Sequence, residues 1–295
     1  MQQIALRNAH LKALVLPSIG GGLARLDALI DGQFLPVLRG LDDLRGAPLP
    51  TPSQLACFPL VPWSNRIGSG GFVFDGRTIA LAPNRPGEAY PIHGEGFQHS
   101  WTVTERDDSF VQLQLDRSSG KPFAYRAHLR YILRGKTLEV ELAVRNCGAA
   151  VLPFGLGLHP WLPRTAGVTL RARACSAWAR GDDGLPTDRI AIPEDWNFDM
   201  PRRLPERAID NIFSGWDGEA RIVWPESSMQ LRIRTHMAYY IVYTRPGADF
   251  FCFEPVDHMI NAHNMPGGPV RNGLTLLAPG QSLTRKVRFT AGVAE

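Results

Sequence analysis

Hydrophobic and polar residues alternate in short runs along most of this chain, with turn residues between the runs. Alternation with a period of two puts one side chain toward a core and the next toward solvent, the signature of a half-buried strand. Leu138-Glu139-Val140-Glu141-Leu142-Ala143-Val144-Arg145 is the clearest case. With Tyr125–Leu133 it flanks Arg134-Gly135-Lys136, which predicts an antiparallel hairpin with glycine in the turn. Further extended runs are predicted at Ile4–Leu6, Lys12–Leu16, Gly71–Phe74, Trp101–Glu105, Val111–Leu115 and Val168–Ala172. Others follow at Ala220–Trp224, Gln230–Thr235, Tyr239–Tyr243 and Leu283–Thr290. Helical periodicity is nearly absent, apart from a short turn around Ser53–Cys57. The Pro- and Arg-rich stretch Gly181–Arg207 reads as long loops. Many strands with few helices predict an all-β fold, a sandwich or barrel of large antiparallel sheets.

Two of the runs carry chemistry. In Phe250-Phe251-Cys252-Phe253-Glu254-Pro255, Phe251 and Phe253 point one way, and Cys252 and Glu254 the other. Pro255 has no N–H for the ladder. An acid on an aromatic-rich strand is desolvated, which raises its pKa toward the range of a general base or acid. A solvated or Arg-paired strand-end glutamate is the plainer alternative. In Leu152-Pro153-Phe154-Gly155-Leu156-Gly157-Leu158-His159-Pro160-Trp161, Gly155, Gly157 and His159 share one face. Two glycines beside a histidine would let a ligand approach the backbone, and histidine is the side chain suited to proton transfer near neutral pH. A histidine bonded to a neighbouring loop fits the same pattern. Two more clusters stand out: Asn65-Arg66-Ile67 after an apolar stretch, and His93 in the loop Pro91-Ile92-His93-Gly94-Glu95-Gly96. Taken singly, an ion pair explains Arg66 and turn chemistry explains His93.

The bulk numbers narrow the picture. The 295 residues are 44% hydrophobic and 20% charged, ordinary for a globular protein, and the 29 glycines and 24 prolines suit many turns. With no low-complexity linker, residues 1–295 read as one domain. The net charge of +4 is spread without a basic run, which argues against a nucleic-acid partner. No segment approaches the ~18 apolar residues of a membrane span, and the first residues show no leader pattern. A cytoplasmic location is expected. Cys57, Cys147, Cys175 and Cys252 form no C-x-x-C pair, and three of them lie in apolar, strand-like surroundings that predict buried, reduced thiols.

In order along the chain, Asn65-Arg66-Ile67, His93-Gly94, His159-Pro160-Trp161, Ile209-Asp210-Asn211 and Glu254 resemble the aldose 1-epimerase (galactose mutarotase-like) family. The early Leu16-Pro17-Ser18-Ile19-Gly20-Gly21-Gly22 and the late Gly273-Leu274-Thr275-Leu276-Leu277-Ala278-Pro279-Gly280 resemble that family as well. The resemblance implies a β-supersandwich with a sugar site on a concave face. It implies Glu254 as general base, His159 as general acid, and Arg66, His93, Asp210 and Asn65 as sugar-binding groups. Trp161 or Trp216 would supply an aromatic wall. The reaction implied is interconversion of the α and β anomers of a free hexose or pentose, with no cofactor and no metal. Where the family's better-known members carry a second glycine after His-Gly, this chain has Glu95, and Leu158 replaces the asparagine before the acid histidine. These differences fall where sugar hydroxyls would be read.

Three alternatives stay open. Arg202, Arg203 and Arg207 near Asp210 would suit a hexose 6-phosphate, although a solvated loop is the plainer reading. A non-catalytic carbohydrate-binding protein is possible on the same sandwich. His258 and His263, beside Asp257, match no defined metal spacing. Nothing in the sequence sets the oligomeric state.

Overall fold

The computed structural model describes residues 1–41 and 49–294. About half of the chain is strand, and among the described residues the strands pair antiparallel. The strands form two large sheets. The 11-stranded sheet runs, in spatial order, through Ile4–Arg7, Leu11–Leu16, Gly22–Ile30, Cys57–Leu60, Gly157–Pro163, Phe250–Val256, Tyr239–Thr244, Ile209–Ser214, Ser176–Arg180 and Pro186–Ile190, with Gln33–Pro36 paired beside Gly22–Ile30. The nine-stranded sheet includes Thr169–Ala172, Glu219–Trp224, Met229–Thr235, Ser282–Val293, Thr137–Asn146, Tyr125–Arg134, Phe110–Arg117 and Thr102–Arg106. The fold is an all-β sandwich of two large antiparallel sheets, as the alternation predicts.

The predicted hairpin forms with Arg134 opposite Thr137, and Gly135 takes the left-handed φ of 55° that the tight turn requires. Leu138, Val140, Leu142 and Val144 enter the core. On the other face Glu139 is also buried, held by Arg288 at 2.8 Å, while Glu141 is half-buried and Arg145 exposed.

The main core lies between the sheets. Phe251 and Phe253 are fully buried in it, as the alternation of their strand predicts. The opposite face of the large sheet carries a second, smaller apolar cluster that includes Phe58, Phe97, Ile212, Ile241 and Met259. The strands around Glu254 are therefore covered on both sides.

Several elements differ from expectation. The run Leu152–Trp161 breaks at Gly155-Leu156: Leu152–Phe154 pairs with Thr275–Leu277, and Gly157–Pro163 enters the large sheet. A Cβ on Gly155 would overlap the His258 ring, and one on Gly157 would meet Val256 and Pro255. These glycines make room for protein packing rather than for a ligand. The Gly181–Arg207 stretch contains the edge strand Pro186–Ile190 and the short strand Arg202–Arg203. The expected turn near Ser53 is a single 3-10 turn at Pro52–Gln54. Two cysteines rather than three are buried: Cys57 and Cys252 are enclosed, Cys147 is half-buried and Cys175 exposed, and all four are free thiols.

Candidate active site

The strand register builds the floor of a cleft from two parallel rows of side chains. Gly157 stands opposite Val256 and Trp161 opposite Cys252, a register that sets His159 opposite Glu254. His159 also faces Phe58, and Glu254 faces Ile241. The first row is thus Phe58, His159, Glu254, Ile241. In the second row Trp161 faces Cys252, Cys252 faces Tyr243, and Tyr243 faces Asp210. Directly opposed residues in an antiparallel pair have Cβ atoms only ~4.5–5.5 Å apart, so the rows bring imidazole, carboxylates and aromatic rings into contact.

All seven residues singled out from the sequence, Asn65, Arg66, His93, His159, Trp161, Asp210 and Glu254, line one cleft of ≈ 190 Å³. His159 Nε2 lies 3.4 Å from Glu254 Oε1, with both side chains buried. The imidazole is stacked between Phe58 at 4.5 Å and Trp161 at 5.1 Å, which fixes its plane. Among the described residues, His159 Nδ1 and Glu254 Oε2 have no hydrogen-bond partner although both are buried. Burial pushes the Glu254 carboxyl well above the usual carboxylate range, the Asp210 charge adds to this, and Arg66 opposes it. Burial lowers the His159 imidazole to about 3, with Arg85 and Arg39 acting in the same direction.

The His93 loop is locked by reciprocal bonds. The Asn65 N–H donates to His93 Nδ1 at 3.1 Å, and the His93 N–H donates to the Asn65 carbonyl at 3.0 Å. Nδ1 is therefore an acceptor, and Nε2 carries the ring proton. Burial holds His93 well below its ordinary value, with His159, Arg66 and Arg85 adding to the shift, so the ring stays neutral. Both Asn65 and His93 adopt positive φ, 54° and 61°, a conformation that asparagine tolerates better than most residues. Gly94 follows at φ 65° against the Val61 carbonyl, where a Cβ would overlap.

Ion pairs set the charges of the rim. Arg66 makes a bidentate pair with Glu88 at 2.9 and 3.0 Å. Asp210 lies 3.3 Å from Arg180, and burial raises its carboxyl despite that partner and Arg66. Trp161 carries Arg39 over its ring at 4.0 Å and forms an aromatic wall together with Tyr243. Trp216 does not reach the cleft; it packs in the main core against Tyr240 and Phe253.

Sequence reasoning missed Arg85, Glu88 and Tyr243, which also line the cleft, and Asn84, which holds it in shape. The Asn84 side chain donates to the carbonyls of Ile92 and Gly94 and accepts from the Ile92 N–H, clamping the His93 loop. No motif flags a loop residue of this kind. Arg202, Arg203 and Arg207 are absent from the cleft lining: Arg207 pairs with Asp195, and Arg202 bonds the Asn197 carbonyl.

His258 is structural. Its Nδ1 faces the Met259 carbonyl at 2.8 Å, and its Nε2 accepts the Ser64 N–H at 3.0 Å. This anchors the segment that presents Asn65 and Arg66.

Residues 2–290 match the family model described as aldose 1-epimerase. The chain belongs to the aldose 1-epimerase family. It is 34% identical over 245 residues to the Escherichia coli K12 protein YphB, a protein of uncharacterized function, covering 80% of this chain and 83% of that one. A crystal structure of a provisionally named aldose 1-epimerase from Escherichia coli K12 superposes with a TM-score of 0.90 at 30% identity, covering 99% of both chains. The GalM/aldose epimerase homologue from C. elegans shares the fold, with a TM-score of 0.83 at 18% identity over 100% of this chain and 99% of that one. No helix among the described residues is long and apolar enough to cross a membrane.

Proposed function

We propose that this aldose 1-epimerase family member interconverts the α and β anomers of a free hexose or pentose, with Glu254 and His159 as the proton-transfer pair. The observation that carries this reading is the 3.4 Å approach of two buried titratable groups at the floor of a small cleft. Anomer exchange requires removal of the C1 hydroxyl proton and delivery of a proton to the ring oxygen. Both oxygens are bonded to C1, so the two proton-transfer groups must be neighbours, and opposed positions on adjacent strands supply that. The pair shares one proton. Burial favours the neutral form, Glu254 protonated and His159 unprotonated. Passing that proton to His159 gives the carboxylate that accepts the C1 hydroxyl proton and the imidazolium that protonates the ring oxygen. Ring closure returns both protons after the aldehyde rotates.

His93 Nε2–H and Arg66 are placed to donate to sugar oxygens, and Asp210 to accept from hydroxyls. Trp161 covers an apolar face of the ring. The ≈ 190 Å³ cleft is smaller than the ~300–1,000 Å³ of drug-sized ligand pockets, which favours a monosaccharide. Arg66 and Asp210 each have an opposite charge beside them, which favours an uncharged sugar over a 6-phosphate. A carbohydrate-binding protein without catalysis has no need of the buried pair.

The test is anomer exchange by NMR saturation transfer over free and 6-phosphorylated aldoses, with wild type and Glu254→Gln in parallel. Exchange of a free aldose, lost in the variant, supports the reading. Sugar binding without exchange in the wild type would leave only a binding protein.

A further inference from the structure

The second row holds, beneath the cleft, the fully buried thiol of Cys252, which the proton-transfer chemistry does not use. Cys252 and Glu254 are two positions apart on one strand, so their side chains share a face, and His159 stands across from Glu254 on the next strand. One ligand atom from each of His159, Cys252 and Glu254 lies within 4.8 Å of the others, and all three residues are buried. We propose that His159, Cys252 and Glu254 form a binding site for a thiophilic divalent cation of the Zn²⁺ class, and that the ion excludes the sugar.

The geometry is close to that of a zinc site. Two donors about 2.0–2.1 Å from a tetrahedral zinc are about 3.4 Å apart, and His159 Nε2 and Glu254 Oε1 are separated by 3.4 Å. The thiol needs a side-chain adjustment of about an ångström to complete the same polyhedron. A separate observation points to a ligand: Glu254 Oε2, in a side chain only 3% exposed, has no partner among the described residues. The donor set selects the cation, because thiolate and imidazole favour zinc, cobalt and cadmium over magnesium and calcium.

Charge balance also fits. Thiolate, carboxylate and neutral imidazole bring two negative charges to a doubly charged ion. A metal-bound thiolate has given up its proton, so binding strengthens as pH rises. Three protein ligands leave the fourth position for water. Exclusion of the sugar rests on the epimerase reading, since the ion occupies both proposed proton-transfer groups; binding of the ion does not rest on it.

The test uses the full chain after chelator treatment, titrated with Co²⁺ and then with competing Zn²⁺. We expect one equivalent of Co²⁺ to give a thiolate-to-cobalt charge-transfer band that Zn²⁺ abolishes and Mg²⁺ does not. Cys252→Ser should lose the band, and Cys175→Ser, at the exposed thiol, should keep it. His159→Gln should weaken binding by at least ~100-fold, beyond the 10–100-fold that loss of a group outside the ligand set costs. A band that survives Cys252→Ser, or no band in the wild type, would overturn the site. Should Cys252→Ser misfold by circular dichroism, His159→Gln decides alone, and unchanged affinity there sinks the proposal. Zn²⁺ should also raise the apparent KM for the exchanged sugar; a bound ion that leaves KM unmoved would refute exclusion and leave the site standing. The optical readout needs no sugar, so failure of the site and failure of the epimerase reading are separable.

Discussion

Glu254 carries its carboxyl in a place where the charged form is penalised, and that single fact orders the expected behaviour of the cleft. Glutamine keeps the size and one acceptor oxygen but can no longer exchange a proton. We expect Glu254→Gln to lower kcat for anomer exchange by ~10²–10⁴-fold, the usual contribution of a positioned acid or base. Sugar affinity measured by chemical-shift perturbation should change little; an equal loss of affinity would make Glu254 a binding residue only. The pH dependence follows from the same groups. The active pair holds one proton. Below about 3, where His159 gains a proton, the pair holds two; above the raised value of Glu254 it holds none. The profile of kcat/KM should therefore be a bell, and its limbs belong to the pair rather than to either residue. An acid limb at the ordinary glutamate value of about 4.5 would show that Glu254 is solvated and unshifted.

The side chains of Asn65, Arg66 and His93 depend on loops that cross-brace one another, and those loops are held by residues with no chemistry of their own. Asn84 satisfies three backbone groups of the His93 loop at once. Its replacement by alanine leaves them without that partner, at ~0.5–1.5 kcal/mol for each bond. Asn84→Ala should therefore cost about 2–3 kcal/mol in denaturant unfolding and raise KM more than it lowers kcat. Unchanged stability and KM would show that the loop holds without the clamp. These couplings also mark the limit of what the sequence discloses. Phe250–Pro255 was readable because its sequence alternates, Phe251 and Phe253 on the core face and Cys252 and Glu254 on the other, although all four are buried. Gly22–Ile30 was not, because Arg25 and Asp27 share a face with Leu23 and Leu29, so its sequence has no clean apolar–polar alternation. The ordered motifs named seven residues that share the cleft, yet the register that opposes His159 to Glu254 is set by pairing across about a hundred residues of chain. Gly155 shows the reverse error: a glycine beside a histidine suggested ligand access, and the space belongs to His258.

At the scale of the whole molecule, four histidines are enclosed in folded protein with their pKa values depressed chiefly by burial: His93, His159, His258 and His263. In the unfolded chain each takes up a proton as pH falls below the ordinary 6.5. The unfolded state then binds more protons than the folded one, so stability rises with pH across this window. The contribution of these groups is complete above about 6.5 and is lost on the way down to about 4 for His258 and about 3 for His159 and His263. The raised carboxyls of Asp210, Glu254 and Asp257 act in the opposite sense. They hold protons in the folded state where the unfolded chain has lost them, and that cost eases as pH falls. His263 isolates the histidine effect, because it lies outside the cleft against Phe72, at 4.5 Å between rings. Leucine fills much of the same space and does not titrate. Below pH 6.5 the wild type should lose stability relative to His263→Leu, by on the order of 2 kcal/mol at pH 4.5, with the difference vanishing as a pH-dependent quantity above 6.5. Urea unfolding of both proteins at pH 7.5 and pH 4.5, followed by circular dichroism, measures it. A gap between the two proteins that is the same at both pH values would mean that His263 gains its proton in the folded state as readily as in the unfolded one, and the acid sensitivity would then belong to the other three buried histidines.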